Sequence, residues 1–195
     1  MLERGFIQVY TGDGKGKTTA AIGLAIRALG AGKKVLLLQF MKSKDYSEQL
    51  ILSELSPNLT VKTSGKPFFV ATEGMLSPEE IEQWGDEVVV FQKGDPPADY
   101  VKLTENVLSI AGQAINQALY DLVILDELNV ALFFGLAKQD LVEDILQQRS
   151  PNVEIVFTGR NAPQWLLDQA DLVTEMLEVK HYYQHGVMAR RGFEN

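Results

Sequence analysis

Short apolar runs recur along the chain and predict buried strands. They lie at 6–10, 35–40, 122–125 and 155–157. Short apolar runs bounded by turn residues are typical of strands that are buried on both faces of a sheet. The stretches between them are long enough for a helix, so the pattern predicts crossover connections between parallel strands.

Amphipathic stretches separate these runs. Apolar residues repeat at helical spacing in 18–30, and glycines follow at the end of that helix. A longer apolar stripe predicts a helix over about 98–119, residues 141–146 mark another, and Pro163 is suited to begin a further one. The alternation predicts an α/β fold, a mostly parallel sheet with helices on both faces.

The segment 41–97 lacks a sustained hydrophobic period. It mixes turn residues with short apolar pieces, which predicts loops and short helices. Residues 88–91 have the composition of a strand, although Gly-Asp-Pro-Pro follows at once. We predict one domain over 1–195, of which this middle segment is the least regular part.

Composition limits the function classes. The chain has 195 residues, a formal net charge of −8 and no cysteine. The acidic balance disfavours nucleic-acid binding, and the lack of cysteine excludes disulfides, thiolate zinc sites and cysteine nucleophiles. The first twenty residues lack the apolar stretch of a signal peptide, and no apolar run is long enough to span a bilayer, so we expect a cytoplasmic protein.

A glycine-rich loop, TGDGKGKTT, joins the first apolar run to the first amphipathic stretch. In a phosphate loop, glycines let backbone N–H groups surround phosphate oxygens, lysine adds charge and a hydroxyl binds the metal. The spacing is a variant, because Thr11 stands where the usual pattern has glycine. The loop predicts P-loop NTPase (RecA-like) architecture and an ATP site. Its candidate residues are Thr11, Gly12, Asp13, Gly14, Lys15, Gly16, Lys17, Thr18 and Thr19.

Two further strand ends carry charge. Asp126 and Glu127 follow the apolar run 122–125, where carboxylates can hold a metal ion beside the loop. Arg160 follows the run 155–157 and can reach phosphates. A surface salt bridge is the alternative role for Arg160. The two histidines, His181 and His185, are favoured for structural or partner-contact roles.

Motif blocks in a fixed order resemble the phosphate-loop ATP:corrinoid adenosyltransferases, which act on cob(I)alamin or cob(I)yrinic acid a,c-diamide. The blocks are TGDGKGKTTAAIGLAIRALGAGKKVLLLQFMK, LVILDELNVAL, VFTGRNAP, ADLVTEM and VKHYYQHGVMARRGFE. The resemblance implies transfer of the 5′-deoxyadenosyl group of ATP to Co(I) of a corrinoid, with release of inorganic triphosphate. It also implies Mg²⁺ or Mn²⁺, a flavin-type reductase that supplies electrons, and a homodimer.

The resemblance also assigns roles. Lys17, Arg160 and Glu127 become the catalytic candidates, and Thr18 with Asp126 and Glu127 becomes the metal site. The segment 41–97 is expected to cover the corrinoid. Phe68 and Phe69 are the candidates for contact with the ring, although GKPFFVA departs from the phenylalanine and tryptophan, two residues apart, of other members.

Two other classes share part of this pattern. A kinase related to thymidine kinase would have the loop and the acidic pair, but that family usually adds a cysteine zinc site. A nucleotide-dependent switch or corrinoid carrier would bind ATP without consuming it. The sequence leaves open which corrinoid is the substrate, and whether the role is biosynthesis or salvage.

Overall fold

The computed structural model describes residues 3–43 and 46–193. Residues 44–45, in the middle segment, and both chain ends lie outside the described residues. The strands are β1 (Ile7–Thr11), β2 (Val35–Phe40), β3 (Leu59–Ser64), β4 (Phe69–Thr72), β5 (Val88–Phe91), β6 (Leu122–Asp126), β7 (Glu154–Thr158) and β8 (Leu172–Glu175). The helices are α1 (Lys17–Gly30), α2 (Ser47–Leu55), α3 (Pro78–Trp84), α4 (Ala98–Asn116), α5 (Leu128–Phe133), α6 (Gln139–Gln147) and α7 (Gln164–Gln169).

Six strands form one sheet in the order β3-β2-β6-β7-β1-β8, and every pairing in it is parallel. Two further strands, β4 and β5, form a separate parallel pair. The α/β class and the parallel sheet predicted from the alternation are therefore confirmed. Among the described residues, no helix is long and apolar enough to span a membrane.

The sheet is buried on both faces, which explains its continuous apolar strands. In β2, Leu36 and Leu38 face a core cluster that includes residues of α4, α5 and α6. Val35 and Leu37 point the other way, into a second cluster with Ala21 of α1 and Leu52 of α2. This alternation follows from the two-residue period of a strand, so every position of β2 is buried.

The strand order sets where ligands can bind. The crossover through α1 carries the chain from β1 to β2, past β7 and β6, while the crossover through α7 carries it from β7 to β8 on the other side of β1. Connections therefore diverge around the carboxyl end of β1. Ligands of open α/β sheets bind at such a switch point, beyond the carboxyl ends of the strands.

Most predicted elements match the structure. The predicted strands appear as β1, β2, β6 and β7, the predicted long helix appears as α4, and α7 begins directly after Pro163. Residues 88–91 form a strand, as their composition indicated.

The middle segment was predicted wrongly in part, because it contains β3 and β4 as well as helices. β3 is only partly buried, so it lacks the apolar run of a central strand. Its strand conformation comes from pairing with β2, in which Val35 lies opposite Leu59. Such a partner is distant in sequence and leaves no local signal.

Candidate functional site

The glycine-rich loop lies at the carboxyl end of β1 and is packed against the chain that follows β8. Gly14 N–H donates to the Met176 carbonyl over 2.7 Å. A Cβ on Gly14 would lie 2.7 Å from the Leu177 carbonyl oxygen, and one on Gly12 would overlap the Met176 carbonyl. Gly12 and Gly16 also have positive φ angles, +91° and +120°. These glycines are therefore required by the neighbouring backbone and by the turn itself.

Lys17 is the first residue of α1 and is largely buried under the loop. Its Nζ donates to the carbonyl oxygens of Gly12 (2.6 Å) and Gly14 (2.8 Å). Burial lowers the pKa of Lys17, and the nearby Arg160 guanidinium lowers it further against the opposing pull of Glu127 and Asp13. The lysine thus lies among the loop carbonyls and close to the second predicted cation.

Asp126 ends β6 and is completely buried, with 0% of its surface exposed. Its Oδ1 accepts hydrogen bonds from Thr18 Oγ1 (2.8 Å) and Thr158 Oγ1 (2.6 Å). Its Oδ2 accepts from Gln39 Nε2 (3.2 Å) and forms an ion pair with Lys42 Nζ (2.9 Å). Asp126 therefore joins the loop helix to the ends of β2 and β7, and two of the predicted metal ligands, Thr18 and Asp126, are in contact.

Lys42 is a site residue that the sequence reading missed. It follows β2 and is nearly buried, and it lines the cleft beside Thr18. Burial lowers its pKa, but the attraction and hydrogen bond of Asp126, with Glu127 and Glu48, outweigh burial and raise the pKa overall. The available signal was its position, a charged residue just beyond the carboxyl end of an apolar strand.

Glu127 differs from its neighbour in both backbone and environment. It adopts a left-handed conformation, with φ +63°, immediately before α5, and its N–H donates to Thr158 Oγ1 over 2.9 Å. Burial raises the pKa of Glu127, and the adjacent Asp126 carboxylate adds to the rise, against the cations Lys42, Lys17 and Arg160. The negative charge of Glu127 is thus balanced less completely by neighbouring donors and cations than that of Asp126, whose carboxylate has four polar contacts.

A cleft of about 420 Å³ brings most predicted residues together. Residues 13–18 of the loop line it together with Glu127, Val130 and Arg160. The Arg160 guanidinium donates to the Asp13 carbonyl over 3.3 Å. Its side chain is exposed and contacts the loop, so Arg160 lies at the edge of this cleft.

A second cleft, of about 680 Å³, adjoins the same loop. Its walls include Lys15, Thr18, Thr19, Lys42 and Glu127. Thr11, by contrast, is buried, and its Oγ1 accepts the Ala162 N–H over 3.4 Å. Thr11 therefore supports the loop from the buried side. The other predicted loop residues line one or both clefts or pack against the chain that follows β8.

The chain beyond β8 returns to the loop. His181 lines the smaller cleft, and its Nδ1 accepts the Tyr183 N–H over 3.1 Å. Tyr182 OH accepts a hydrogen bond from Lys15 Nζ over 3.2 Å. The histidine favoured for a structural or partner-contact role thus also borders the cleft. The motif block that contains His181 did not by itself indicate this position beside the loop.

The two phenylalanines have different environments. Phe68 is half-buried and packs edge-on against Tyr100, with ring centroids 5.9 Å apart. Phe69 is 55% exposed and packs edge-on against Trp84, with centroids 5.2 Å apart. Phe69 and Trp84 line an apolar cavity of about 230 Å³ beside β4 and β5. Neither phenylalanine is among the residues that line the two loop clefts.

The residues present fit a magnesium-type ion that also binds a nucleotide. Thr18, Asp126 and Glu127 offer oxygen atoms, the ligands that Mg²⁺ and Mn²⁺ prefer. Over residues 3–43 and 46–193, no group of three or more acidic or histidine side chains could hold a metal ion. A metal here would therefore require phosphate oxygens to complete its coordination, as is usual for Mg²⁺ in nucleotide sites.

Comparison with known proteins gives consistent matches over nearly the whole chain. Residues 3–195 match the family described as ATP:corrinoid adenosyltransferase BtuR/CobO/CobP. A corrinoid adenosyltransferase of Pseudomonas aeruginosa is 34% identical over 193 residues, covering 98% of this chain and 84% of that protein. One of Escherichia coli K12 is 33% identical over 192 residues, covering 98% and 86%. A KaiC-like protein of Pyrococcus horikoshii, 13% identical, superposes with a TM-score of 0.43 over 92% of this chain and 75% of that one.

Proposed function

The chain belongs to the ATP:corrinoid adenosyltransferases, and on that basis we propose that it transfers the 5′-deoxyadenosyl group of ATP to the Co(I) centre of a corrinoid. The products are an adenosylcobalamin-type corrinoid and inorganic triphosphate. The observation that carries this proposal is the smaller cleft, in which residues 13–18 of the loop, Lys17 among them, line one space together with Arg160.

The reaction is a displacement at the ribose 5′ carbon. The electron pair of Co(I) forms the new cobalt–carbon bond, and the bond from carbon to the triphosphate oxygen breaks with its pair. Triphosphate leaves intact, so charge must be stabilised along all of it. Loop N–H groups, Lys17 and Arg160 provide that stabilisation electrostatically, and no proton needs to be removed from the nucleophile.

The metal site in this proposal consists of Thr18, Asp126 and Glu127. A Mg²⁺ or Mn²⁺ ion held there would neutralise phosphate charge when bound with ATP. Asp126 keeps the Thr18 hydroxyl oriented by accepting its hydrogen bond. Glu127 faces both loop clefts and lies close enough to Lys17 to shift its pKa, so we assign it to the metal or its waters and to the charge balance around the triphosphate.

The corrinoid, in this proposal, contacts the segment 41–97 of a single domain. Phe69 is exposed and packs against Trp84, and the two rings form an aromatic surface next to an apolar cavity. Phe68 supports that surface from the core side through Tyr100. An aromatic face of this kind suits one side of a flat macrocycle.

Several partner properties follow from the family and belong to the same proposal. Co(I) requires reduction of Co(II), so a flavin-type reductase is the expected electron donor. We also propose a homodimer, and a cytoplasmic location where ATP is supplied. These properties are independent of the residue assignments above.

Product analysis tests the reaction. ATP, Mg²⁺ and chemically reduced cobalamin should give adenosylcobalamin and triphosphate in equal amounts, because the leaving group departs whole. Adenosylcobalamin is measured by its visible spectrum, and phosphate products by ion chromatography. A mixture without corrinoid is the control and should release no triphosphate. ADP with phosphate would indicate cleavage of the terminal phosphate and contradict adenosyl transfer, and ATP bound without products would indicate a switch or carrier.

A further inference from the structure

The backbone at Lys42 is held in one place by the end of β3. Gly65 N–H donates to the Lys42 carbonyl over 2.8 Å. A Cβ on Gly65 would overlap the backbone of Lys42, so the two segments are in direct contact. Met41, just before it, has a left-handed φ of +59° that turns the chain out of β2. The Lys42 side chain therefore starts from a fixed point beside the loop.

The Lys42 ammonium contacts two of the three residues of the proposed metal site. Its Nζ lies 2.9 Å from Asp126 Oδ2 and donates to Thr18 Oγ1 over 3.3 Å. Thr18 Oγ1 in turn donates to Asp126 Oδ1 over 2.8 Å. A second carboxylate, Glu48, lies 3.6 Å from the ammonium. The lysine thus bridges the hydroxyl and the carboxylate of one pair.

A buried carboxylate needs a cation or several donors, since an unpaired buried charge strongly destabilises a fold. Asp126 has that cation in Lys42. A divalent ion on Thr18 and Asp126 would bring a second cation to the same oxygens, and like charges at such a separation repel. Both cations cannot keep these contacts at full strength.

We propose that Lys42 is a tethered counter-ion: it holds Thr18 and Asp126 in their ligating arrangement, and the metal of the metal–nucleotide complex displaces its ammonium. This inference rests on the metal role of Thr18 and Asp126 in the proposed function. Lys42 is a positioning residue here. Its ammonium, once displaced, stays beside the larger cleft that it lines.

The test compares Lys42→Met with the unmodified chain, using Mn²⁺ and inorganic triphosphate as probes. Methionine keeps the apolar stem and removes the competing charge. We expect Mn²⁺ to bind at least about fivefold more tightly, measured by electron paramagnetic resonance of free Mn²⁺. We also expect a lower unfolding midpoint in EDTA, because Asp126 loses its cation, and a larger gain in midpoint when metal and triphosphate are added.

Lys138→Met is the matched control. Lys138 Nζ forms an ion pair with Glu105 over 2.8 Å, but on the surface and outside both loop clefts. This control should leave Mn²⁺ affinity unchanged. Equal or weaker Mn²⁺ binding by Lys42→Met would overturn the proposal, and weaker binding would instead identify Lys42 as a direct ligand of the phosphates.

A second measurement needs no variant and covers a failure of Lys42→Met to fold. In a crystal structure of the unmodified chain with Mg²⁺ and triphosphate, Lys42 Nζ should lie beyond about 4 Å from Asp126 Oδ2. An ammonium that keeps its contact with Asp126 while metal is bound at Thr18 would refute displacement. Neither test contains a corrinoid, so both remain readable if adenosyl transfer itself is not observed.

Discussion

Asp126 and Glu127 are adjacent at the end of β6, yet their positions in the fold give them different environments. Asp126 points into the core and accepts four polar contacts, from Thr18, Thr158, Gln39 and Lys42. Glu127 turns away in a left-handed conformation and lines both loop clefts. One carboxylate is therefore suited to hold the site together, and the other is placed to meet a ligand.

The raised pKa of Glu127 gives a prediction about stability. Its folded-state pKa lies above the ordinary value because of burial and the neighbouring Asp126. Its contribution to stability is thus fully present below the unfolded pKa and is lost as pH rises through the raised pKa. Glu127→Gln, which cannot ionise, should match the unmodified chain at about pH 4 and be more stable than it at about pH 8.

Urea unfolding in EDTA across that pH range measures the difference. EDTA is necessary because a bound metal would favour the ionised carboxylate. Glu82→Gln is the control, since Glu82 is exposed on α3, and it should give no pH-dependent difference. A Glu127→Gln chain that is less stable at the higher pH would contradict the assigned environment.

At the scale of elements, the loop and the chain after β8 depend on each other. Glycines in a phosphate loop are expected to admit phosphate oxygens. In this chain the absence of a side chain at Gly12 and Gly14 also lets the backbone at Met176 and Leu177 pack closely against the loop. The contact links β8, at the edge of the sheet, to the start of α1, and it brings the segment containing His181 to the cleft.

Two glycine substitutions test this packing. Gly14→Ala should destabilise the chain by about 1–3 kcal/mol, because its Cβ would press on the Leu177 carbonyl. Gly23→Ala is the matched change inside α1, where a Cβ meets nothing within 4 Å. It should stabilise by about 0.5–1 kcal/mol, since alanine favours a helix. Thermal unfolding without nucleotide measures both changes in stability. Equal changes for the two variants would show that the loop can shift to accommodate a Cβ at position 14 at little cost.

At the scale of the whole molecule, the two loop clefts and the apolar cavity share none of their described lining residues. The loop clefts lie at the carboxyl end of β1, while Phe69 and Trp84 line a cavity beside the small β4–β5 pair. In the proposed reaction, the first surface binds ATP and the second meets the corrinoid. A substitution at one surface should therefore leave binding at the other intact.

Phe69→Ala tests that separation. We expect ATP affinity to stay within about twofold, and adenosylation that starts from Co(II) corrinoid with a weak reductant to slow by about tenfold or more. Phe133→Ala is the matched control, because Phe133 is 47% exposed and packs edge-on against Phe134 with centroids 5.2 Å apart. Isothermal titration and the visible spectrum of the product measure the two properties. Unchanged turnover by Phe69→Ala would remove Phe69 from the corrinoid site.

Sequence by itself determined the features whose causes are local. Buried strands leave continuous apolar runs, so β1, β2, β6 and β7 were predicted from pattern alone. A phosphate loop needs glycines, a lysine and a hydroxyl within a few residues, so residues 11–19 were identified directly. The acidic pair after β6 was found because both carboxylates stand at one strand end.

Tertiary structure decided what depends on residues that are distant along the chain. β3 exists because β2 offers it a partner, and the place of Lys42 follows from that pairing. The cation of Asp126 and the cleft position of His181 come from segments that no short motif connects to the loop. Packing also decided that the charge of Asp126, and not that of Glu127, is balanced by several polar contacts, because burial and hydrogen-bond partners are properties of the folded chain.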